Sequence, residues 1–273
     1  MYQAPNLKSI EELRTVDVRS TNTNPIRIRA TDFREYIVKT QPRATSKGVI
    51  KEWLCAHFLK LWNLPVPDFA VISVQPHHIP ALLHRDLQPF YFDRPAFGSL
   101  LVSDALDVND TFHYPGQYQK GLSNSSGELL YIALFDLWCS NADRHSQNYN
   151  LLYSADQIPK FIPIDHEQCL DTIAFGHDPE LLTENVCLTD SKLFRQYVTR
   201  STLKRIRQDT KGAKRQFDGY VQTCFERLPH IIEAMPEEWQ TATPELEKLL
   251  LQTIFAKSWL DQTWRTYLSY LPG

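Results

Sequence analysis

Residues 13–19, 25–30 and 35–40 are short runs rich in Val, Ile, Tyr and Thr, and polar turn residues separate them: Thr21-Asn22-Thr23-Asn24 and Asp32-Phe33-Arg34. That pattern predicts a three-stranded meander. The period then changes. From Ser46, a candidate N-cap, to Trp62, the apolar residues Ile50, Trp53, Leu54, Phe58 and Leu61 share one face. Glu52, Cys55, Ala56 and Leu59 share a second, and Pro65 and Pro67 end the helix. A helix apolar on two sides is sandwiched between other elements rather than laid on a surface. Residues 69–74 and 97–103 predict two more strands, making five strands and one helix in this first part.

From about Asp104 the pattern turns helical, and 128–139 is apolar almost all round, which predicts a buried helix. It leads into Ser140-Asn141-Ala142-Asp143-Arg144-His145-Ser146-Gln147-Asn148. Two β runs follow, 149–153 and 160–164, the second ending on Asp165. Beyond Asp178 the chain reads as helices broken around Gly212, Pro229, Pro236 and Pro244. No internal repeat is present, so the expected organisation is a β-rich lobe over 1–103 and a helical lobe over 104–273.

Composition narrows the chemistry by exclusion. With 42% hydrophobic and 22% charged residues in 273, the chain is neither disordered nor fibrous. Only 9 glycines are present, so any phosphate-cradling loop must be built from other residues. A net charge of −3 supplies no global field for nucleic acid or an anionic membrane, and direct DNA binding is not expected. Five scattered cysteines without a C-x-x-C pair fit a reducing compartment. No basic-then-apolar leader opens the chain and no run approaches about 18 apolar residues, so the expected location is cytoplasmic and off the membrane.

Phosphoryl transfer needs few protein groups: a lysine on the phosphates, a carboxylate facing the acceptor proton, and oxygen ligands for Mg²⁺. Lys39 ends an apolar strand, and Glu52, on the second face of the next helix, is placed to pair with it. Asp143 and Asn148 lie five apart on a loop leaving a buried helix, the spacing of the protein-kinase catalytic loop. Asp165 stands where a β run stops, well placed to hold a metal. Singly these are weak signals: an Asp with Asn at +5 arises by chance about once in a chain of this composition, and a strand-end Lys is more often a solvated end. Their order carries the reading. His84-Arg85-Asp86-Leu87-Gln88-Pro89 also spells a kinase catalytic-loop opening, but Tyr91 occupies the +5 position where the metal-binding Asn belongs. Asp86 is therefore read as a loop residue. The basic stretch 192–215 reads as solvated helix faces, and Trp259, Trp264, Tyr267 and Tyr270 as packing for the last helix.

The segments Asn141 to Asn148 and Ile162-Pro163-Ile164-Asp165-His166-Glu167 resemble the catalytic and metal-binding segments of HipA-like kinases. These share D-R-H-x-x-N with phosphatidylinositol 3/4-kinases. Tyr36-Ile37-Val38-Lys39 and the stretch from Lys51-Glu52-Trp53 to Leu64-Pro65-Val66-Pro67 are similar to the short HipA-like proteins that hold little beyond a kinase domain, and the match spans about residues 10 to 175. The resemblance implies an α+β, bilobal protein-kinase-like fold with a small, mostly antiparallel β lobe holding one helix and a larger helical lobe. It implies ATP and Mg²⁺ as cofactors, with Asp143 as base, Asn148 and Asp165 as metal ligands, and Lys39 on the phosphates with Glu52 as its partner. His145 would support the transferring phosphate, and Arg144 would pair with a carboxylate such as Asp136. Ser20 and Thr21 stand where a Gly-rich loop would be, and adenine would meet backbone at the strand-to-helix crossover around Val102 to Ala105. The expected acceptor is a Ser or Thr hydroxyl of a protein; a lipid or small-molecule kinase and a nucleotide-binding scaffold are the alternatives. Longer HipA chains carry a further N-terminal subdomain for which 273 residues leave little room, so a toxin role and a small antitoxin partner stay open.

Overall fold

The computed structural model describes residues 4–15, 26–40, 47–80, 88–109, 112, 119–155, 159–170, 179–240 and 245–273, with 119–125 described in their backbone alone. Two compact units emerge. Unit 1 gathers Met1–His57, Pro67–Ser103 and His230–Pro244; unit 2 gathers Phe58–Val66, Asp104–Pro229 and Glu245–Gly273.

Unit 1 is built on a six-stranded sheet of β1 (Asn6–Lys8), β2 (Arg14–Thr15), β3 (Ile26–Arg29), β4 (Glu35–Lys39), β5 (Phe69–Ser73) and β6 (Ala96–Leu100). The strand order is β1-β5-β6-β4-β3-β2. The predicted meander is there as β2-β3-β4, all antiparallel, although 16–25 lie outside the described residues. Period-2 alternation fixes the register. In β3 and β4, Ile26, Ile28, Tyr36 and Val38 point inward to a core shared with Ala70, Ile72 and Ala96, while Arg27, Arg29 and Glu35 pair on the other face. Strand β1 was not expected from the sequence; it pairs parallel with β5, the single parallel pair of the sheet among the described residues. Three residues are too short a window for periodicity to register. At the centre of the sheet β6 places Gly98 against Ile72, where an added Cβ would meet Cγ1 at 2.5 Å, so only glycine lets β5 and β6 approach with that side chain between them.

Helix α1 (Lys47–Leu61) is buried along nearly its whole length, as its two apolar faces predict. In unit 1, Trp53 sits edge-on to His57, Phe69 and Trp239, and its Nε1 donates to the carbonyl of Ile231 at 2.9 Å.

Unit 2 contains a three-stranded antiparallel sheet, β7 (Ala105–Asp107), β8 (Leu151–Ser154) and β9 (Lys160–Pro163), in that order. Strand β7 corrects the expectation that the pattern turns helical at Asp104. Residues 105–107 satisfy their backbone groups against 152–154 of β8, and among the described residues the next helix, α2 (Gln119–Cys139), begins twelve residues after β7. The helices α3 (Lys192–Tyr197), α4 (Arg200–Gln208), α5 (Thr210–Glu233), α6 (Glu237–Gln240), α7 (Leu246–Gln252) and α8 (Lys257–Tyr270) follow. Ser191 and Thr199 cap α3 and α4 by accepting the N–H of Phe194 and Thr202. Pro229 does not break the chain as expected: α5 runs through it to Glu233 and ends before Pro236. Within unit 2, Trp138 of α2 stacks on Trp62 at 5.3 Å and meets Phe58 and Phe255, with its Nε1 bonded to the carbonyl of Ile254. The last helix docks as predicted, through Trp259 Nε1 to the carbonyl of Trp138 and Tyr267 Oη to that of Leu130. Among the described residues no helix is long and apolar enough to cross a membrane, and no disulfide joins any cysteine.

Candidate active site

The loop after α2 is held by a buried polar network. Arg144 has no exposed side-chain surface, and its Nε donates to both oxygens of Asp136, at 3.2 and 3.0 Å. Burial pushes the Asp136 carboxyl above its ordinary value, opposed by the charge of Arg144 and the Asn141 amide, which donates to Asp136 Oδ1 at 2.9 Å. The expected pairing of Arg144 with Asp136 is thus present, and the guanidinium does more. Its Nη1 donates to the carbonyls of Tyr149, Asn150 and Ile164, and its Nη2 meets His166 Nε2 at 3.0 Å. A guanidinium only donates, so that ring nitrogen is the acceptor. One side chain thereby joins the loop carrying Asp143 and Asn148 to the end of β9, where Asp165 stands.

The backbone completes the frame. His145 and Asn148 exchange N–H···O bonds at 2.9 and 3.1 Å, and the Ile164 N–H donates to Asn150 O at 3.0 Å. Four of the six non-glycine residues with left-handed backbone among the described residues lie here: Ser140, Asn150, Asp165 and Leu170, with φ of 52°, 44°, 59° and 56°. Such strain persists only where the surroundings over-determine it, and it concentrates at functional sites.

The half-buried Asp143 takes its backbone N–H to Asn141 Oδ1 at 3.2 Å, and its Oδ2 accepts the Asn150 side-chain amide at 2.8 Å. Asn150 is the residue that motif spacing missed. Its signal was an Asn just before a β run, one of the few side chains that tolerates positive φ while offering a donor. The His145 ring accepts the Gln147 N–H through Nδ1 at 3.2 Å.

In unit 1, Lys39 closes β4 and its Nζ donates to Glu52 Oε1 of α1 at 2.6 Å, with only 15% and 5% of the two side chains exposed. A buried pair of this kind is held against its desolvation cost by good geometry. Val102 is a half-buried loop residue after β6 in unit 1, whereas Ala105 opens β7 in unit 2. The strand therefore leads to another strand there, and the strand-to-helix crossover expected around Val102 to Ala105 is absent. Ser20, Thr21 and the segment around Asp86 lie outside the described residues.

The geometry can be set beside known proteins. The crystal structure of the Helicobacter pylori proinflammatory kinase CtkA is similar over 98% of this chain and 100% of its own, at 12% identity and a TM-score of 0.50, a likeness in fold. The HipA of Shewanella oneidensis MR-1, solved with HipB and operator DNA, matches over 96% of this chain and 67% of its own, at 12% identity and a TM-score of 0.48. The Golgi casein kinase with Mn/ADP bound matches over 96% and 75%, at 11% identity and 0.40. No curated protein matches the chain. The family model for HipA-like kinases matches residues 10–266. With a kinase fold and a family match across nearly its whole length, the chain belongs to the HipA-like kinases and is a phosphotransferase.

Proposed function

We propose that this protein transfers the γ-phosphate of ATP, with Mg²⁺, to a Ser or Thr hydroxyl of a protein. The observation that carries the reading is the orientation of Asp143: Asn150 holds one carboxylate oxygen, and Arg144 ties that loop to the strand end bearing Asp165. The residues fit the cofactors by their donor chemistry. Asn148 and Asp165 offer hard oxygen ligands, suited to Mg²⁺, which takes few protein ligands and completes its shell with phosphate and water. Among the described residues there is no cluster of three or more His, Cys, Asp and Glu side chains that would favour a protein-caged metal instead. When bound, Mg·ATP supplies the activated phosphoryl group and the charge neutralisation that its transfer needs.

The chain's own residues then have separable tasks. Lys39, held by its ion pair with Glu52, presents its side-chain nitrogen to phosphate oxygens. Asp143 accepts a hydrogen bond from the acceptor hydroxyl, aligns its lone pair and takes up its proton. His145 donates from Nε2, because Nδ1 is engaged as an acceptor from Gln147 N–H, and so supports developing negative charge on the transferring group.

Calorimetry of Mg·ATP with the wild type and with Asp165→Asn tests the assignment without needing the acceptor. The expected result is magnesium-dependent binding that Asp165→Asn weakens by about tenfold or more. Absence of nucleotide binding with any divalent metal overturns it.

A further inference from the structure

A cavity of about 420 Å³ opens beside Asp143 wholly within unit 2. It is lined by Ala142 and Asp143 of the loop after α2, and by a second wall from the segment bearing Glu180, Leu181, Leu182 and Val186. That wall is fixed at two points. The Ser140 hydroxyl donates to the Glu180 carbonyl at 2.7 Å, and the Tyr270 hydroxyl donates to the Leu182 carbonyl at 3.0 Å. A wall anchored through its main chain holds the backbone of Glu180 to Leu182 in place beside the cavity.

The charges along this cavity are of one sign. Asp143 and Glu180 are its ionisable lining groups, and no Lys, Arg or His lines it among the described residues. Two carboxylates favour a cationic occupant, a charge that an acceptor peptide can carry and phosphate oxygens cannot. The rim residues Ala142, Glu180 and Thr183 are exposed, which makes this an open groove rather than a pocket that encloses most of a small ligand. An open groove with an apolar patch and one exposed carboxylate suits an extended peptide segment.

Resting on the phosphotransfer reading above, we infer that this groove is the acceptor site, that it takes a Ser- or Thr-bearing peptide segment carrying Arg or Lys near the hydroxyl, and that Glu180 selects that positive charge. The apolar side chains Leu181 and Val186 then receive an uncharged neighbour of the acceptor residue, and Asp143 faces its hydroxyl.

The test compares transfer from Mg·ATP to two short peptides that share one Ser and an otherwise Ala/Gly sequence, one flanked by Arg and the other by Glu. Wild type is expected to prefer the Arg peptide by about tenfold in kcat/KM, and Glu180→Gln to reduce that ratio to about threefold or less, the range of a partly exposed ion pair. Glu180→Arg should invert the order, an outcome that misfolding cannot produce. Equal use of both peptides by the wild type, or a ratio unchanged in Glu180→Arg, overturns the inference. Mg·ATP binding by the wild type is measured in parallel. Binding without transfer to either peptide overturns the acceptor assignment alone, whereas no binding and no transfer overturns the phosphotransfer reading beneath it.

Discussion

Asp143 shows how little a candidate catalytic side chain is specified by its own identity. Its carboxylate is aimed by one donor, Asn150 Nδ2, at 2.8 Å, and that donor sits on a residue with φ of 44°. Replacing Asn150 with glycine keeps the left-handed backbone, the carbonyl that Arg144 and Ile164 N–H use, and the fold, while deleting only the amide. Under the proposed mechanism Asn150→Gly lowers kcat about 10- to 100-fold, with little change in the KM for ATP. Steady-state kinetics check it, and a loss under twofold would show that the hydrogen bond does not position the base. Asp143, Asn148 and Asp165 could be proposed together from order and spacing because a loop fixes intervals along the chain. Asn150 could not, since its role depends on a hydrogen bond that exists only once the loop has closed through the guanidinium of Arg144.

Elements carry constraints that single residues do not reveal. Helix α2 is apolar almost all round from Leu129 onward, and that made its burial predictable; strands β1 and β7, at three residues each, left no period to read and had to wait for their pairing partners. Where α2 meets β9, Glu128 Oε2 accepts the N–H of Phe161 at 3.0 Å, and burial pushes its carboxyl from 4.5 up to about 7, with Lys160 and the Phe161 bond pulling the other way. The folded chain therefore holds this proton more tightly than the unfolded chain does. Its contribution to stability is fully present below about 4.5 and is lost as pH rises through about 7. Glu128→Gln retains an acceptor for Phe161 and removes the titration. Thermal melts at pH 5 and pH 8 should show the variant gaining stability over the wild type at pH 8 and little or none at pH 5. A variant that is less stable at pH 8 contradicts this account.

At the level of the whole molecule the chain is interleaved. Unit 1 takes its sheet and part of α1 from the first 103 residues but also needs His230–Pro244, where Trp239 packs on Trp53 at 5.9 Å and donates through Nε1 to the Pro95 carbonyl. Residue periodicity reports a face that will be buried, not which distant segment buries it, so this return of the chain was beyond the reach of pattern reading. A fragment of residues 1–103 should show no cooperative thermal transition by circular dichroism, whereas the full chain does; a sharp transition in the fragment would mean that unit 1 closes without Trp239. The same interleaving sets a schedule during synthesis. At about 5 to 20 residues per second, the ribosome takes on the order of ten seconds to go from residue 103 to residue 244. Throughout that interval the indole of Trp53 has His57 and Phe69 beside it but neither Trp239 nor the Ile231 carbonyl, so the β-rich segment leaves the ribosome with an aromatic face only partly covered.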